Sequence, residues 1–129
     1  MIIGIGSDIV YVDRFEKIFL TYGEQFLNRI FTKNEQAYAK KSVNIFNIYA
    51  KRFAAKEAFS KAIGTGFRNG LRWKDIEISR TKLGQPFIIV HERAKKIIEP
   101  CHGPLDMCKI HLSLSDEKHL AQAFVIIEK

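Results

Sequence analysis

The sequence predicts a single α+β domain in which an antiparallel sheet packs against one long helix and several short helices. Three observations support this prediction. The segment from Ile45 to Ile63 is rich in helix-forming residues, several short runs are rich in β-branched residues, and strands and helices do not alternate regularly as they would around a parallel sheet. The chain has 129 residues, of which 47% are hydrophobic, so we expect one folded domain spanning residues 1–129.

The first third of the chain predicts one strand and two helices. Ile2 to Val10 is rich in β-branched residues and predicts the first strand. A helix is expected from Asp13 to Leu20, where a Tyr-Gly pair soon interrupts it. Thr32 and Glu35 have the spacing of a capping box, so a short helix should begin there and run to about Lys40.

The long helix, Ile45 to Ile63, is expected to end at a glycine, because Gly64-Thr65-Gly66 follows it directly. Together with Asn69-Gly70, these glycines predict an irregular loop. Two short strands, Ile76 to Arg80 and Phe87 to His91, should then form a hairpin around a Leu-Gly-Gln-Pro sequence.

The last third predicts a weak helix and two strands. Glu92 to Ile98 favours a helix that Pro100 should break. Ile110 to Ser115 alternates apolar and polar residues, as a half-buried strand does. A turn at Asp116-Glu117 should lead into the last strand, Ala121 to Ile127.

The formal charge of +7 favours polyanionic partners, since 21 Lys and Arg stand against 14 Asp and Glu. Composition alone favours nucleic acid among them. No apolar run is long enough for a membrane span, and the N-terminus lacks the features of a cleaved leader. Cys101 and Cys108 have no metal-site spacing and are expected to be reduced thiols, so we expect a cytoplasmic protein.

Two charged residues interrupt an apolar stripe on the long helix. At about 100° per residue, Phe46, Ala50, Phe53, Glu57 and Lys61 fall in one sector. The simplest interpretation is an ordinary i,i+4 ion pair. The neighbouring aromatic residue argues for more, because a half-buried carboxylate needs a cation or hydrogen bonds to offset its desolvation.

Asp8 is unusual in the same way, because it lies inside the apolar run of the first strand. One alternative is that it turns toward solvent at the strand end. The other is that Asp8 and Glu57, with Lys61 one turn away, bind a divalent cation and a phosphate. Mg²⁺ commonly takes one or two carboxylates, with water and substrate phosphates as its other ligands.

Several motifs resemble those of the small holo-acyl-carrier-protein synthases. Residues 6–10, Gly-Ser-Asp-Ile-Val, resemble that family's G-x-D-[IV]-[VT] opening, and residues 52–61 resemble its R-[FW]-A-x-K-E-A-x-x-K helix. The Gly64-Thr65-Gly66 loop, Gly84-x-Pro86 and His111-x-Ser113 then follow in the family's order. The resemblance covers nearly the whole chain.

This resemblance implies a 4'-phosphopantetheinyl transferase fold and function. The family transfers 4'-phosphopantetheine from coenzyme A to a serine of apo-acyl-carrier protein and releases adenosine 3',5'-bisphosphate, in support of fatty acid biosynthesis. The resemblance also implies magnesium dependence, a cytoplasmic location, and a homotrimer with active sites between subunits. Neither nucleic acid nor a membrane is expected as a partner.

By position, the resemblance makes Asp8 and Glu57 metal ligands and Lys61 a catalytic contact to phosphate oxygens. Lys56 or Arg52 would pair with nucleotide phosphates. The remaining motif residues are assigned to the coenzyme A site, namely Gly64, Gly66, Gly84, Pro86, His111 and Ser113.

The pattern leaves alternatives for the general base and indicates two residues for docking. Many relatives carry a histidine directly after the S-x-[ST] of the last motif, where this chain has Asp116. Glu57, Asp116 or a metal-ordered water therefore remain candidates for the base. Arg14 and Arg29 are expected to contact an acidic carrier protein, whereas Lys17 is expected to be a solvated surface charge.

Two other classes of function compete with this interpretation. A nucleic-acid-binding module would explain the positive charge, but the chain has no recognised motif of that class and such a module gives Asp8 and Glu57 no role. Another magnesium phosphotransferase or hydrolase would explain the two carboxylates but not the resemblance along the whole chain.

Overall fold

The structure, a computed structural model, describes all residues from Met1 to Lys129. Its strands and helices are, in chain order, β1 (Ile2–Tyr11), α1 (Val12–Tyr22), α2 (Glu24–Ile30), α3 (Lys33–Lys40), α4 (Ile45–Ala62), β2 (Ile76–Arg80), β3 (Pro86–Val90), α5 (Glu92–His102), β4 (Lys109–Asp116) and β5 (Leu120–Glu128). Short 3₁₀ helices cover Trp73–Asp75 and Leu105–Met107. The predicted α+β fold is confirmed.

The strands form two antiparallel sheets. The larger sheet has the order β1-β5-β4, and the hairpin of β2 and β3 forms the smaller one. In the larger sheet Asp8 pairs with Ala123, and Ala123 pairs with Leu114 on its other side. Because side chains alternate across a strand, one face of this sheet packs on α4 and the other faces outward.

Two glycines of β1 allow α4 to lie directly on the sheet. A Cβ atom on Gly4 would lie 2.2 Å from the carbonyl oxygen of Ala62, and one on Gly6 would lie 1.8 Å from that of Ala58. Any larger residue would push the helix away from the strand. The alanines of α4 complete this close contact, since Ala54, Ala55, Ala58 and Ala62 are all buried.

The core lies on both sides of α4. One cluster joins α4 to the sheet and to α5 through aliphatic side chains. The other is aromatic and joins α4 to α1, α2 and α3, with Phe15, Phe31 and Tyr49 at its centre. This double burial explains why α4 lacks a single apolar stripe.

Most predicted elements are confirmed, with one correction and one omission. The capping box of Thr32 and Glu35 is present. The prediction that Pro100 breaks the helix after Ile98 was wrong, because α5 continues to His102 and ends at Gly103, whose φ of 80° is in the left-handed region. Pro100 lacks a backbone donor and its ring crowds the carbonyl of Lys96, yet the helix continues for two more residues. Helix α2 was not predicted. No helix has the length and apolarity needed to cross a membrane.

Candidate functional site

Three charged residues from β1 and α4 meet where the helix crosses the strand. The Lys61 ammonium lies 3.2 Å from Oδ1 of Asp8 and 3.0 Å from the carbonyl oxygen of Ser7. Glu57 lies one helical turn before Lys61 and on the same side of α4. The structure therefore brings together the three residues that the sequence singled out for metal and phosphate binding.

The surroundings of Glu57 disfavour its ionised form. Burial raises the pKa of the Glu57 carboxyl above its usual value, and the nearby Asp8 carboxylate raises it further, while Lys61 acts in the opposite direction. Two carboxylates at close range, one of them only 18% exposed in the side chain, create a negative centre that a cation would stabilise.

This donor set fits a hard divalent cation that keeps part of its shell for other ligands. No group of three or more His, Cys, Asp or Glu side chains in the chain could hold a metal ion alone. Asp8 and Glu57 supply two oxygen donors. Mg²⁺ is typically held by one or two carboxylates together with water and substrate phosphates. A cation at this point would therefore bind best with a phosphorylated substrate present.

The carboxylate pair opens onto a groove between α1, α2 and α4. A cavity of about 320 Å³ is lined by Asp8 and Glu57, by Arg14, and by apolar residues of β1, α1, α2 and α4. A second cavity of about 580 Å³ shares Ile18 and Phe26 with it and reaches Arg29. Arg14 and Arg29 thus lie along one groove that leads to the carboxylate pair, which we call the α1–α2 groove.

Lys56 does not lie in this site. Its ammonium is fully buried and donates to the carbonyl oxygens of Ile30 and Trp73 and to the Glu35 carboxylate. These three bonds use all the donors of a lysine side chain. Lys56 is therefore not free to pair with a nucleotide phosphate in this structure, contrary to the sequence expectation, and it has instead a role inside the fold.

Arg52 is nearly buried but lines a different, basic cleft. Its guanidinium donates to the carbonyl oxygen of Ile78 and lies 4.2 Å from the ring centroid of Tyr38. The cleft, of about 440 Å³, also contains Arg80, Lys82 and Gly84. Arg52 and Glu57 are five positions apart and therefore point about 140° apart on α4, so this cleft and the carboxylate pair do not face each other.

Two of the predicted residues of β4 lie on the outer face of the larger sheet, away from α4, whereas the third, Asp116, contacts α4. His111 and Ser113 are exposed, and the His111 ring lies 3.1 Å from the Glu128 carboxylate. Asp116, at the end of β4, pairs with Lys51 at 3.3 Å and accepts a hydrogen bond from Asn47. Within one chain, none of these residues joins the Asp8 and Glu57 pair.

The predicted glycines and Pro86 lie in turns and at a strand end. Gly64 and Gly66 follow α4 with φ angles of 82° and 64°, and Gly84 occupies the β2–β3 turn with a φ of 91°. Added Cβ atoms at these three positions would meet no neighbour within 4 Å. These positions are thus open to a ligand. Pro86 begins β3 opposite Arg80.

Sequence reasoning missed most of the groove. Its apolar walls come from Ile18 of α1 and Phe26 of α2, and neither was singled out. On the α4 side, the groove is lined by Phe53, whose ring stacks on Trp73 at a centroid distance of 5.0 Å. Trp73 stacks in turn on Phe67 at 4.0 Å. The only sequence signal was the high number of phenylalanines, 10 in all.

The comparisons with known proteins agree on one protein family. A family model described as the 4'-phosphopantetheinyl transferase superfamily matches residues 4–121. The holo-[acyl-carrier-protein] synthase of Cereibacter sphaeroides is 44% identical over 128 residues, which cover 99% of this chain and 93% of that protein. The crystal structure of the Neisseria meningitidis holo-[acyl-carrier-protein] synthase superposes with a TM-score of 0.87 at 38% identity, covering 100% of both chains. That of the Bacillus anthracis synthase in complex with CoA (3',5'-ADP) gives 0.80 at 36% identity, covering 100% of this chain and 98% of that one.

Proposed function

This chain belongs to the 4'-phosphopantetheinyl transferase superfamily, and we propose that it transfers 4'-phosphopantetheine from coenzyme A to a serine of apo-acyl-carrier protein in support of fatty acid biosynthesis. The observation that carries this proposal is the meeting of Asp8, Glu57 and Lys61 at the end of the α1–α2 groove. In such a reaction the serine Oγ forms a bond to phosphorus, the bond from that phosphorus to the bridging oxygen breaks, and adenosine 3',5'-bisphosphate leaves.

We propose that Asp8 and Glu57 hold Mg²⁺. When bound, the ion would supply charge neutralisation for the pyrophosphate oxygens. Lys61 would contribute a second positive charge near the leaving oxygen. Glu57 is the best placed acceptor for the serine proton, directly or through a water molecule, because it lies in the groove that the serine would enter. The partners of Asp116 make it the weaker candidate.

We propose that a homotrimer completes the active site. The outer face of the larger sheet exposes Ile5, Ile9 and Tyr11 by 57%, 61% and 61%, with Phe124 beside them. Burying these side chains in an interface would stabilise an oligomer. His111 and Ser113 lie on the same face, and we propose that the interface places them beside the carboxylate pair of a neighbouring subunit.

The same assembly would provide the nucleotide contacts. The Arg52 cleft combines guanidinium groups with an open glycine turn, and we propose that it binds a phosphate group of coenzyme A together with Gly84 and Pro86. Gly64 and Gly66 would allow close approach of the donor to the end of α4. Lys56 is left out of this set because its donors are used inside the fold.

We propose that the carrier protein docks along the α1–α2 groove. The groove ends at the carboxylate pair, its walls include the apolar side chains of Ile18 and Phe26, and Arg14 and Arg29 supply positive charge. This combination fits an acidic protein that presents an apolar contact and delivers its serine to the groove end. We expect the reaction to occur in the cytoplasm, without nucleic acid or membrane as partner.

Incubation of the protein with coenzyme A, apo-acyl-carrier protein and Mg²⁺ tests the proposal. Intact-mass measurement should show that the carrier gains one phosphopantetheine group and that adenosine 3',5'-bisphosphate accumulates in equal amount. A carrier variant with its acceptor serine changed to alanine is the control and should gain nothing. An unmodified carrier in the presence of folded protein would refute the proposed function.

A further inference from the structure

Lys56 forms a buried junction between parts of the chain that are far apart in sequence. Its ammonium lies 2.7 Å from the carbonyl oxygen of Ile30, 2.8 Å from Oε1 of Glu35 and 3.1 Å from the carbonyl oxygen of Trp73. Both side chains of the Lys56–Glu35 pair have no solvent exposure. A charge at such depth is tolerated only when it is paired and fully hydrogen-bonded, as it is here.

Glu35 extends the junction to two more elements. Its Oε1 also accepts from the Thr32 backbone N–H at 2.9 Å, which closes the capping box of α3. Its Oε2 accepts from the Ile78 backbone N–H at 3.0 Å, which ties α3 to β2. The pair thus connects α4 with α2, α3, β2 and the segment that contains Trp73.

Two of these connections lead to the walls of the α1–α2 groove. Ile30 is the last residue of α2, the helix that contributes Phe26 and Arg29 to the groove. Trp73 stacks on Phe53, which lines the groove beside Glu57. Lys56 itself immediately precedes Glu57 on α4, so it holds both walls at a fixed distance from the residue that acts on the substrate.

We propose that Lys56 is a positioning residue for the transfer reaction, which it serves by fixing α2 and the Trp73 segment against α4 so that the groove accepts the carrier protein. The proposal rests on the proposed function. Glu35 compensates the charge of Lys56, while the two carbonyl bonds perform the positioning. If Lys56 only stabilised the fold, removing both charges together would restore both the melting temperature and the carrier-protein KM.

Three variants separate positioning from stability. Lys56→Met removes all three donors and leaves the Glu35 carboxylate buried and unpaired, so it should be strongly destabilised. Glu35→Gln/Lys56→Met removes both charges and should regain much of the lost melting temperature. Glu35→Gln keeps the lysine and its two carbonyl bonds but leaves the buried ammonium without its counter-charge, so it should also lose melting temperature. Lys95→Met, which removes the ion pairs of Lys95 with Glu92 and Asp106 at the surface, is the control.

The carrier-protein KM, measured well below the lowest melting temperature, distinguishes the two roles. We expect the double variant to keep a carrier KM raised by roughly 10- to 100-fold, since small displacements of binding groups are costly. Glu35→Gln and Lys95→Met should stay close to wild type, and the coenzyme A KM should change little throughout. Hydrogen exchange in the double variant should be faster in α2 and around Trp73.

A folded double variant with a wild-type carrier KM would overturn the proposal. A double variant that fails to fold would also overturn it, because the junction would then be a requirement of folding. If the wild-type protein transfers nothing, the proposed function fails, and this is seen before any variant is compared.

Discussion

The Lys61 ammonium and the Asp8 carboxylate lie 3.2 Å apart although 53 residues separate them in the chain. The contact joins the last turn of α4 to β1, and it is possible because Gly4 and Gly6 let the helix backbone rest on the strand. Lys61 is thereby held next to the carboxylate pair before any substrate binds.

Lys61→Ala should lower kcat, because the lost interaction strengthens as negative charge develops on the leaving group. We expect a loss of roughly 100-fold, comparable to removing one transition-state donor. Lys61→Arg keeps the charge and should lose less. Steady-state kinetics with both substrates saturating measures this. An unchanged kcat with only a raised KM would mean that Lys61 binds the ground state alone.

Glu57→Gln should stabilise the metal-free protein at neutral pH. The pKa of Glu57 is raised in the folded state, so its ionised form costs stability above that pKa, and the cost disappears as pH falls below the unfolded value of about 4.3. The advantage of the glutamine variant should therefore vanish under acidic conditions. Melting temperatures in chelator across this pH range measure it, with exposed Glu117→Gln as control.

A divalent cation should reverse that order. Mg²⁺ should raise the melting temperature of the wild type by mass action and leave that of Glu57→Gln nearly unchanged.

The metal-free comparison can also contradict the account. A glutamine variant that is less stable than the wild type at neutral pH without metal would show that the charge of the Glu57 carboxylate is already compensated in the fold.

Arg14→Ala should raise the carrier-protein KM by about three- to tenfold, the equivalent of roughly 1 kcal/mol, with little change in kcat. The wild-type KM should itself rise with salt, because long-range attraction is screened. Lys17→Ala, on the same helix but outside the groove, is the matched control and should match the wild type. A carrier KM that ignores both Arg14→Ala and salt would refute docking along this groove.

A mixture of two inactive variants tests the shared active site. Glu57→Ala loses the carboxylate on one side of the proposed interface, and His111→Ala loses the side chain on the other. Refolding the two together should restore part of the activity, because some sites then combine an intact Glu57 with an intact His111. Separately refolded and then mixed samples are the control. No recovery after joint refolding would indicate that both residues act within one chain.

The elements that the sequence predicted well are those with local signals. The capping box of Thr32 and Glu35 marks its helix within four residues, and β1 follows from a continuous β-branched run. Helix α2 has no such signal, since it is short and begins directly after Gly23. Its place depends on Phe26 packing against Phe15 of α1, a tertiary contact with no periodic signature.

The residues of the candidate site also differ in how well the sequence indicates their surroundings. Asp8 stood out as a charge inside an apolar strand, and Glu57 and Lys61 stood out as charges beside aromatic residues of the long helix. The structure brings the three together. Lys56 lies inside the fold, and nothing in its sequence position tells an exposed lysine from a buried one. Its acceptors, the carbonyls of Ile30 and Trp73, are backbone atoms whose position depends on the whole fold.

The intact mass of the carrier protein, followed over a Mg²⁺ titration, tests the central claim most directly. Wild type should modify the carrier only when Mg²⁺ is present, and Asp8→Asn and Glu57→Gln should lower the rate by roughly 100-fold or more while remaining folded, because each removes a metal ligand. Near-normal transfer by either variant at limiting Mg²⁺, or transfer by the wild type in excess chelator, would contradict the assignment of Asp8 and Glu57 as the metal site.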